Sequence, residues 1–198
     1  MIFFTSDQHF NHTNIIKYCH RPFNNIEHMN EAMIKRRNSI VSPNDYVYVL
    51  GDFIFVDNIN IITYFVNKLN GTILLLRGDH GRTKLTIGDK LKMVDPIVEL
   101  VPTFPLAHIS TTLTLCHWCM RVWPKSHYNS WHLYGHSHGM LPSEGKSHDI
   151  GVDNNNFYPL SLDEIIEIMK SKPDNFNMIK SEDQKQPEFE QLEMEFTW

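Results

Sequence analysis

Short apolar runs alternate with amphipathic segments along the first half of the chain. The runs MIFFT (1–5), YVYVL (46–50) and TILLL (72–76) are rich in β-branched and aromatic residues, so they predict buried strands. Residues 27–40 and 57–69 carry apolar positions at helical spacing. This strand–helix–strand order predicts parallel strands joined by right-handed crossovers, as in an α/β domain.

The second half has more apolar runs and fewer helical segments. A helix is predicted over SLDEIIEIMK, residues 161–170, because Ser161 and Glu164 have the spacing of a capping box. This balance of elements favours antiparallel pairing. The predicted strands are 96–101, 111–116, 131–135 and 147–152.

The composition changes at Lys172, where an acidic stretch with two prolines and no clear periodicity begins. We therefore predict a folded domain over residues 1–171. Residues 172–198 are predicted to form an acidic tail or a loosely docked arm.

Charge and composition narrow the functional classes. The chain of 198 residues has 18 basic and 23 acidic side chains, a formal net charge of −5. This balance disfavours binding to a long nucleic-acid duplex but leaves room for a local anion site. Three cysteines, no leader pattern and no apolar run of ~18 residues lead us to expect a cytoplasmic protein without a membrane partner. The oligomeric state is left open.

Polar side chains that bind metals follow five of the apolar runs. Carboxylates and imidazoles together suit Mn, Fe or Zn better than Ca, and 12 histidines in the chain point the same way. Ligands of α/β proteins bind at the carboxyl ends of strands, so these side chains predict a metal site. The five motifs are Asp7-Gln8-His9, Gly51-Asp52, Arg77-Gly78-Asp79-His80, His117 and Gly135-His136-Ser137-His138.

This series of motifs resembles the calcineurin-like metallophosphoesterase superfamily over residues 2 to about 153. The stretches HFNHTNII and RPF, after the first motif, and SWHLYGHSHG, at the last, are similar to its small bacterial and phage members. The resemblance implies an α/β fold, specifically a four-layer α/β/β/α sandwich with two mixed β-sheets.

The resemblance also implies a dinuclear site. It assigns Asp7, His9 and His138 to the first ion, and Asp79, His117 and His136 to the second. Asp52 would bridge the two ions. His80 would face the substrate, as a phosphate contact or as a proton donor to the leaving group, so His80 and Asp52 are the expected catalytic residues.

The implied activity is hydrolysis of a phosphate monoester or diester by metal-activated hydroxide. The cofactors would be two divalent ions, with Mn favoured and Fe, Zn or Ni as alternatives. The substrate would be a nucleotide, a cyclic nucleotide or a short nucleic-acid end. The residues do not decide between monoesterase and diesterase activity.

The third motif departs from the family pattern, which has Asn at position 79 and an acid at position 81. Asp79 adds a negative charge, which should bind the second ion tightly, lower its Lewis acidity and repel phosphate. Gly81 removes an acid that would orient His80. We expect Asp79→Asn to change turnover by at least tenfold.

Five further residues are candidate substrate contacts, each with a structural alternative. His12 is equally suited to helix capping, and Arg21 to a salt bridge. Arg121 follows His117 closely enough to reach a phosphate. The last candidates are His127 and Trp131, where the indole suits either base stacking or core packing.

Two other functions are compatible with the residues. One is a non-catalytic scaffold in which metals stabilise the fold and the tail recruits a partner, as in retromer-type relatives of the superfamily. The other is a redox or oxygen-binding di-iron protein, which the histidine spacings disfavour.

Overall fold

The computed structural model describes residues 1–80, 84–101 and 111–179. These residues form an α/β fold with two mixed β-sheets and four α-helices. The strands are β1 (Ile2–Thr5), β2 (Tyr46–Val49), β3 (Thr72–Leu75), β4 (Thr86–Ile87), β5 (Leu91–Met93), β6 (Ile97–Leu100), β7 (Leu113–Cys116), β8 (Trp131–Tyr134), β9 (Ser147–Asp149) and β10 (Leu160–Ser161). The helices are α1 (Ile15–Tyr18), α2 (Ile26–Ile40), α3 (Ile59–Lys68) and α4 (Leu162–Ser171).

The first sheet has six strands in the order β10-β1-β2-β3-β5-β4. Strands β1, β2 and β3 are parallel, as predicted. The strand β5, which the sequence did not predict, continues the parallel part, and the short strands β10 and β4 add antiparallel edges. The register pairs Thr5 with Val49 and Val49 with Leu75. The carboxyl ends of β1, β2 and β3 therefore lie side by side.

The second sheet has the order β6-β7-β8-β9, and here the predicted antiparallel pairing is wrong for two pairs. Only β6 and β7 are antiparallel, whereas β7, β8 and β9 run parallel. The connections after β7 and β8 are long enough for parallel crossovers but contain no α-helix, so they lack the periodicity that signals a crossover in sequence.

Alternate residues of β1 enter two different hydrophobic clusters, because successive side chains of a strand point to opposite faces. Phe3 joins Met29 and Met33 of α2 and Phe65 of α3 on the outer face of the first sheet. Phe4 joins a second cluster, which contains Leu115 and Leu133 of the second sheet and Ile165 of α4. The second cluster therefore lies between the sheets, where each buried Leu or Phe contributes about 1.5–3 kcal/mol.

Side-chain caps set the starts of the longer helices. The Asn25 side chain accepts from the His28 N–H at the start of α2, and Asn58 accepts from the first turn of α3. The capping box at α4 is confirmed, because Ser161 and Glu164 each accept from the other's backbone N–H.

A loop covers the outer face of the second sheet in the described part of the chain. The Trp123 ring lies 5.3 Å from that of His132, and the Met120 N–H donates to His132 Nε2 at 3.1 Å. This loop contains the 3₁₀ turn Ser126–Tyr128.

Residues 172–179 pack against that loop. The Asn175 side chain, 4% exposed, donates to the carbonyls of Ser126 and Ser130 and accepts from the Lys146 N–H. The rest of the predicted tail, and Gly81, lie outside the described residues. The predicted domain boundary at 171 stays a prediction. None of the described helices is long and apolar enough to cross a membrane.

Candidate metal centre

The strand ends bring the seven predicted metal ligands to one edge of the fold. Two groups of three residues each place ligand atoms within 4.8 Å of one another. Both groups draw on both sheets, so neither sheet builds a group alone. The first group is Asp7, His9 and His138, and the second group is Asp79, His117 and His136.

Asp52 lies between the two groups. Its Oδ2 atom is 3.5 Å from His9 Nε2 in the first group and 3.7 Å from His117 Nε2 in the second. Ligand atoms bound ~2.1 Å from one ion lie about 3 to 3.5 Å apart. The Asp52 carboxylate is therefore placed to contact cations in both groups.

Five of these residues have left-handed backbone conformations, which non-glycine residues rarely adopt. Such conformations cluster at functional sites, where the surrounding structure holds them in place. The φ angles are 59° for Asp7, 51° for His9, 45° for Asp52, 65° for His136 and 46° for His138.

Glycines leave space for the ligands at two points. Gly51 has a φ of +92°, and a Cβ there would lie 2.6 Å from His117 Nδ1. A Cβ on Gly135 would lie 2.3 Å from Asp7 Oδ2. A side chain at either position would displace a ligand.

The carboxylates of Asp7 and Asp52 each have one oxygen that accepts a backbone hydrogen bond and one that does not. Asp7 Oδ2 accepts from the His136 N–H at 2.9 Å, whereas Asp7 Oδ1 has no hydrogen-bond partner. Asp52 Oδ1 accepts from the His80 N–H at 2.9 Å, and Oδ2 faces the histidines. Both free oxygens are directed into the site.

In two buried histidines, likewise, one ring nitrogen has a partner and the other has none. His117 Nδ1 lies 2.6 Å from the Leu50 carbonyl, and His9 Nδ1 lies 3.2 Å from His12 Nδ1. The Nε2 atoms of His117 and His9 are buried without a hydrogen-bond partner. Buried polar atoms are nearly always paired, so these two, with Asp7 Oδ1, mark a place for a cation.

Asp153 fixes the ring of His138. Its Oδ2 lies 2.7 Å from His138 Nδ1, and its carboxylate also accepts from Arg21 Nε at 2.7 Å and Nη2 at 2.8 Å. Although burial favours the neutral ring, the bond to Asp153 and the charge of Asp7 raise the pKa of His138. Nε2 of His138 remains for a cation.

The second group is more open. Asp79 Oδ2 lies 3.2 Å from His136 Nδ1, and both side chains are over 40% exposed. The Trp118 indole N–H donates to Asp79 Oδ1 at 3.2 Å. The additional carboxylate at position 79 thus has a neutral hydrogen-bond donor.

Burial dominates the electrostatics of the first group. It raises the pKa of Asp7 to about 7 and, with nearby positive groups, lowers the pKa of His9 to about 2. It also lowers the pKa of His117. Burial thus favours neutral imidazoles at His9 and His117, the form in which histidine binds a cation, while the carboxyl of Asp7 interacts with His138.

Cys19 forms a further possible group with His138 and Asp153. Burial raises the pKa of the Cys19 thiol to about 11, so the thiolate that a metal needs is disfavoured.

Two predicted substrate-facing histidines lie at the rim of the site. The ring of His80 is 5.7 Å from that of His9, and its backbone N–H holds Asp52. His12 contacts His9 and stacks on Phe55 at 4.1 Å. His12 therefore orients a ligand, and its helix-capping alternative has no support here because its partner is a ring nitrogen.

Arg21 is not a substrate contact. Its side chain is buried, with donors used by Asp153 and by the carbonyls of Asp7 and Gln8. Arg21 therefore holds the backbone of Asp7 and Gln8 in the first motif.

Three other predicted substrate contacts lie elsewhere. Trp131 is the first residue of β8, at the opposite end from His136, and packs in the core. His127 lies in the 3₁₀ turn at that same end. Arg121 pairs with Glu144 at 2.8 Å and lies over the ring of Phe176. The length of β8 separates Trp131 and His127 from the predicted metal ligands, and the Arg121 side chain is engaged by Glu144 and Phe176.

Two residues that support the candidate ligands were not among the predicted site residues. Asp149 accepts from Ser137 Oγ at 2.6 Å and from the Gly139 N–H, so it fixes the loop of the last motif. Asp153 orients His138. Both lie at or after the end of β9, so the strand-end rule that found the other motifs also applies to HDIGVD (148–153).

Three comparisons place the chain among known proteins. No family model matches it. The solved structure of a protein of unknown function, AQ665 from Aquifex aeolicus, superposes with a TM-score of 0.65 at 22% identity, covering 85% of this chain and 98% of that one. This likeness shows the α/β fold alone. An uncharacterized protein of Methanocaldococcus jannaschii, MJ1445, is 33% identical over 178 residues, which cover 85% of this chain and 91% of that protein. The chain therefore belongs to the same family as MJ1445.

Proposed function

We propose that this protein is a metal-dependent phosphoesterase of the calcineurin-like metallophosphoesterase superfamily. One observation carries the proposal. Asp7 Oδ1, His9 Nε2 and His117 Nε2 are buried without hydrogen-bond partners, and Asp52 Oδ2 lies between the two histidines. Such a set of free donor atoms at the carboxyl ends of parallel strands suits a pair of cations.

The donor types favour particular metals. Carboxylate and imidazole ligands suit Mn, with Fe, Zn and Ni as alternatives, and disfavour the all-oxygen shell of Ca. In this proposal the first group holds one ion, the second group holds the other, and Asp52 bridges them.

The chain's own residues prepare the site for a phosphate ester. Bound cations would supply Lewis acidity, neutralising phosphate charge and lowering the pKa of a water. The Asp52–His80 hydrogen bond holds His80 at the rim, where its imidazole faces incoming phosphate or gives a proton to the leaving group. Arg21 and Asp153 keep the first group rigid.

The two mixed sheets of the α/β fold support the proposal, in which the fold is a variant of the superfamily's α/β/β/α sandwich. Helices α2 and α3 cover the outer face of the first sheet, and hydrophobic residues join the two sheets. On the other outer face the loop around Trp123 takes the place of a helical layer in the described residues.

The substrate class is a phosphate monoester or diester of small size. The net charge of −5 disfavours a long duplex, whereas a nucleotide or a short nucleic-acid end needs only a local anion site. We propose that the protein acts on such a small ester.

Two measurements on the full chain test the proposal. Chelated protein is reconstituted with Mn²⁺, analysed for bound metal, and assayed with p-nitrophenyl phosphate and its bis-ester. We expect two Mn per chain and metal-dependent release. His80→Ala should retain both ions and lose about 100-fold in kcat. His127→Ala, at the far end of β8, is the matched control and should keep wild-type activity.

The scaffold alternative rests on the added charge of Asp79, which opposes phosphate binding. It predicts two bound ions without release of p-nitrophenol under any of Mn, Ni or Zn. Failure to bind stoichiometric metal would reject both functions.

A further inference from the structure

Four aromatic rings form a continuous cluster at the rim of the metal centre. The ring of His9 lies 5.2 Å from that of His12 and 5.7 Å from that of His80. Phe55 contacts both outer rings, stacking on His12 at 4.1 Å and meeting His80 edge-on at 5.2 Å. Phe55 is therefore one ring away from a predicted metal ligand on two sides.

The backbone holds Phe55 firmly although its side chain is exposed. The Phe55 N–H donates to the Phe10 carbonyl at 2.8 Å, and Phe10 pairs with Ile54 in a parallel bridge. Even so, Phe55 is 45% exposed, while one face of its ring lies on His12. A rigid, half-exposed aromatic side chain beside a polar site is a typical anchor for a ligand.

The cavity of about 120 Å³ that touches Asp52, Asp79 and His80 lies behind the metal centre and not over it. Most of its lining comes from apolar residues of the outer-face cluster, such as Leu75 and Leu85, and the predicted histidine ligands are not among its lining residues. A phosphate ester at the metal centre would therefore approach from the open rim, where Phe55 is exposed.

We propose that Phe55, supported by His12, is the wall of a subsite for a planar aromatic group attached to the phosphate, such as a nucleobase or an aryl group. The inference rests on the proposed function for the phosphate position. Stacking on Phe55 would select aromatic esters over aliphatic ones, because flat rings gain contact area and dispersion on such a wall.

Trp118 borders the second group and is 36% exposed, but it is less suited to this role. Its indole N–H is committed to Asp79, and its ring packs edge-on against His117 at 5.2 Å. Changes at Trp118 would therefore alter the ligands themselves, whereas Phe55 contacts the site only through His12 and His80.

The test uses two ligands that cannot be hydrolysed and differ only in the ring. Phenylphosphonate and methylphosphonate are titrated calorimetrically into the Mn-loaded full chain. We expect phenylphosphonate to bind roughly 5- to 100-fold more tightly. Phe55→Ala should bring this ratio close to one, and Phe55→Trp should retain it. Tyr46→Leu, which changes an exposed aromatic residue at the opposite end of β2, should leave it unchanged.

The ratio isolates the subsite, because any effect of a variant on metal binding acts equally on both ligands. A wild-type ratio near one, a ratio that survives Phe55→Ala, or binding of neither ligand would overturn the inference. Ring selectivity without hydrolysis of either p-nitrophenyl phosphate or its bis-ester would leave the subsite standing and reject the phosphoesterase function.

Discussion

The two groups of potential ligands differ in how far they are buried and how they are supported. In the first group Asp7 and His9 are almost fully buried. The Nδ1 atom of His9 contacts His12, and the Nδ1 atom of His138 contacts Asp153. In the second group only His117 is buried, and Asp79 and His136 are both over 40% exposed. One group is built into the core and the other opens to solvent.

This difference implies unequal roles for the two groups. Burial penalises the charged form of Asp7, and His138 offsets this penalty only in part, so a cation bound by the first group would stabilise the fold. The exposed side chains of Asp79 and His136 stay hydrated when no cation is bound, so an empty second group costs the fold little free energy. We therefore expect a tightly held first ion and a readily exchanged second ion.

The largest effect should come from stripping the first ion. Graded chelation should remove metal in two stages, with thermal unfolding followed by calorimetry and metal content by elemental analysis. Loss of the second ion should lower Tm slightly. Loss of the first should cost about 4 kcal/mol at free metal 1,000-fold above Kd, which corresponds to roughly 10 °C.

Asp7→Asn is the control for this comparison, because it changes a buried residue of the first group and leaves Asp79, His117 and His136 of the second group in place. Graded chelation of this variant should lower Tm only by the small amount expected for loss of the second ion. A single-stage loss, or equal steps for both ions, would show that burial does not distinguish the groups.

The second prediction concerns the metal-free protein and its pH dependence. Burial raises the pKa of Asp7 to about 7 from its ordinary value of 3.8, so the folded chain holds this proton more tightly than the unfolded chain. The protonated carboxyl therefore stabilises the fold below pH 4, and this contribution is lost as the pH rises through 7. Without metal, Asp7→Asn should become more stable than wild type across this window, by about 4 kcal/mol at pH 8.

Denaturant unfolding in chelator at pH 4, 6 and 8 measures the difference between the two proteins. Subtracting wild type from variant cancels the opposing contribution of His9, whose pKa lies near 2 in the folded chain. A difference that does not grow with pH would show that Asp7 is ionised without cost. Added Mn²⁺ should reverse the order of stability.

Much of the architecture was predictable because it depends on local patterns. The parallel strands around Val47 and Ile73 follow from apolar runs separated by amphipathic helices, and the α4 cap follows from Ser161 and Glu164. The rule that strand ends carry chemistry also predicted that the candidate metal ligands meet at one edge of the fold. These inferences need only residue type and short spacing.

The missing parts depend on contacts between distant residues. Arg21 and Asp153 are 132 positions apart, and no local pattern shows that they form a buried pair behind His138. The left-handed backbone of Asp7 is likewise imposed by its surroundings, since Asp rarely selects that conformation alone. Trp131 was ambiguous because aromatic residues suit both cores and ligand sites.

The third prediction tests the support of the first group. Asp153→Asn removes the charge that fixes His138 while keeping its size, and should weaken Mn binding at the first site by about 10- to 100-fold. Affinity at the second site should not change. Asp163→Asn, the same charge change on the exposed side of α4, is the matched control.

Competition with a metal-binding dye resolves the two affinities within each protein. Because the second site serves as an internal reference, partial unfolding would be recognised by equal weakening of both sites. That result would mean that Asp153 supports the fold rather than the ligand.

The smallest effect should come from Asp79→Asn in the open group. Removing this charge should raise the Lewis acidity of the second ion and ease the approach of phosphate, so kcat should rise about tenfold with saturating Mn²⁺ while affinity for the second ion falls. Trp118→Phe serves as the control, because it deletes the indole N–H that Asp79 accepts and keeps the ring against His117. If Trp118→Phe reproduced the effect, the hydrogen bond and not the charge would be responsible.

Equal rates for wild type and Asp79→Asn would contradict the prediction. They would show that solvent screens the exposed carboxylate of Asp79 so well that its charge does not affect turnover, and that charge matters mainly in the buried first group.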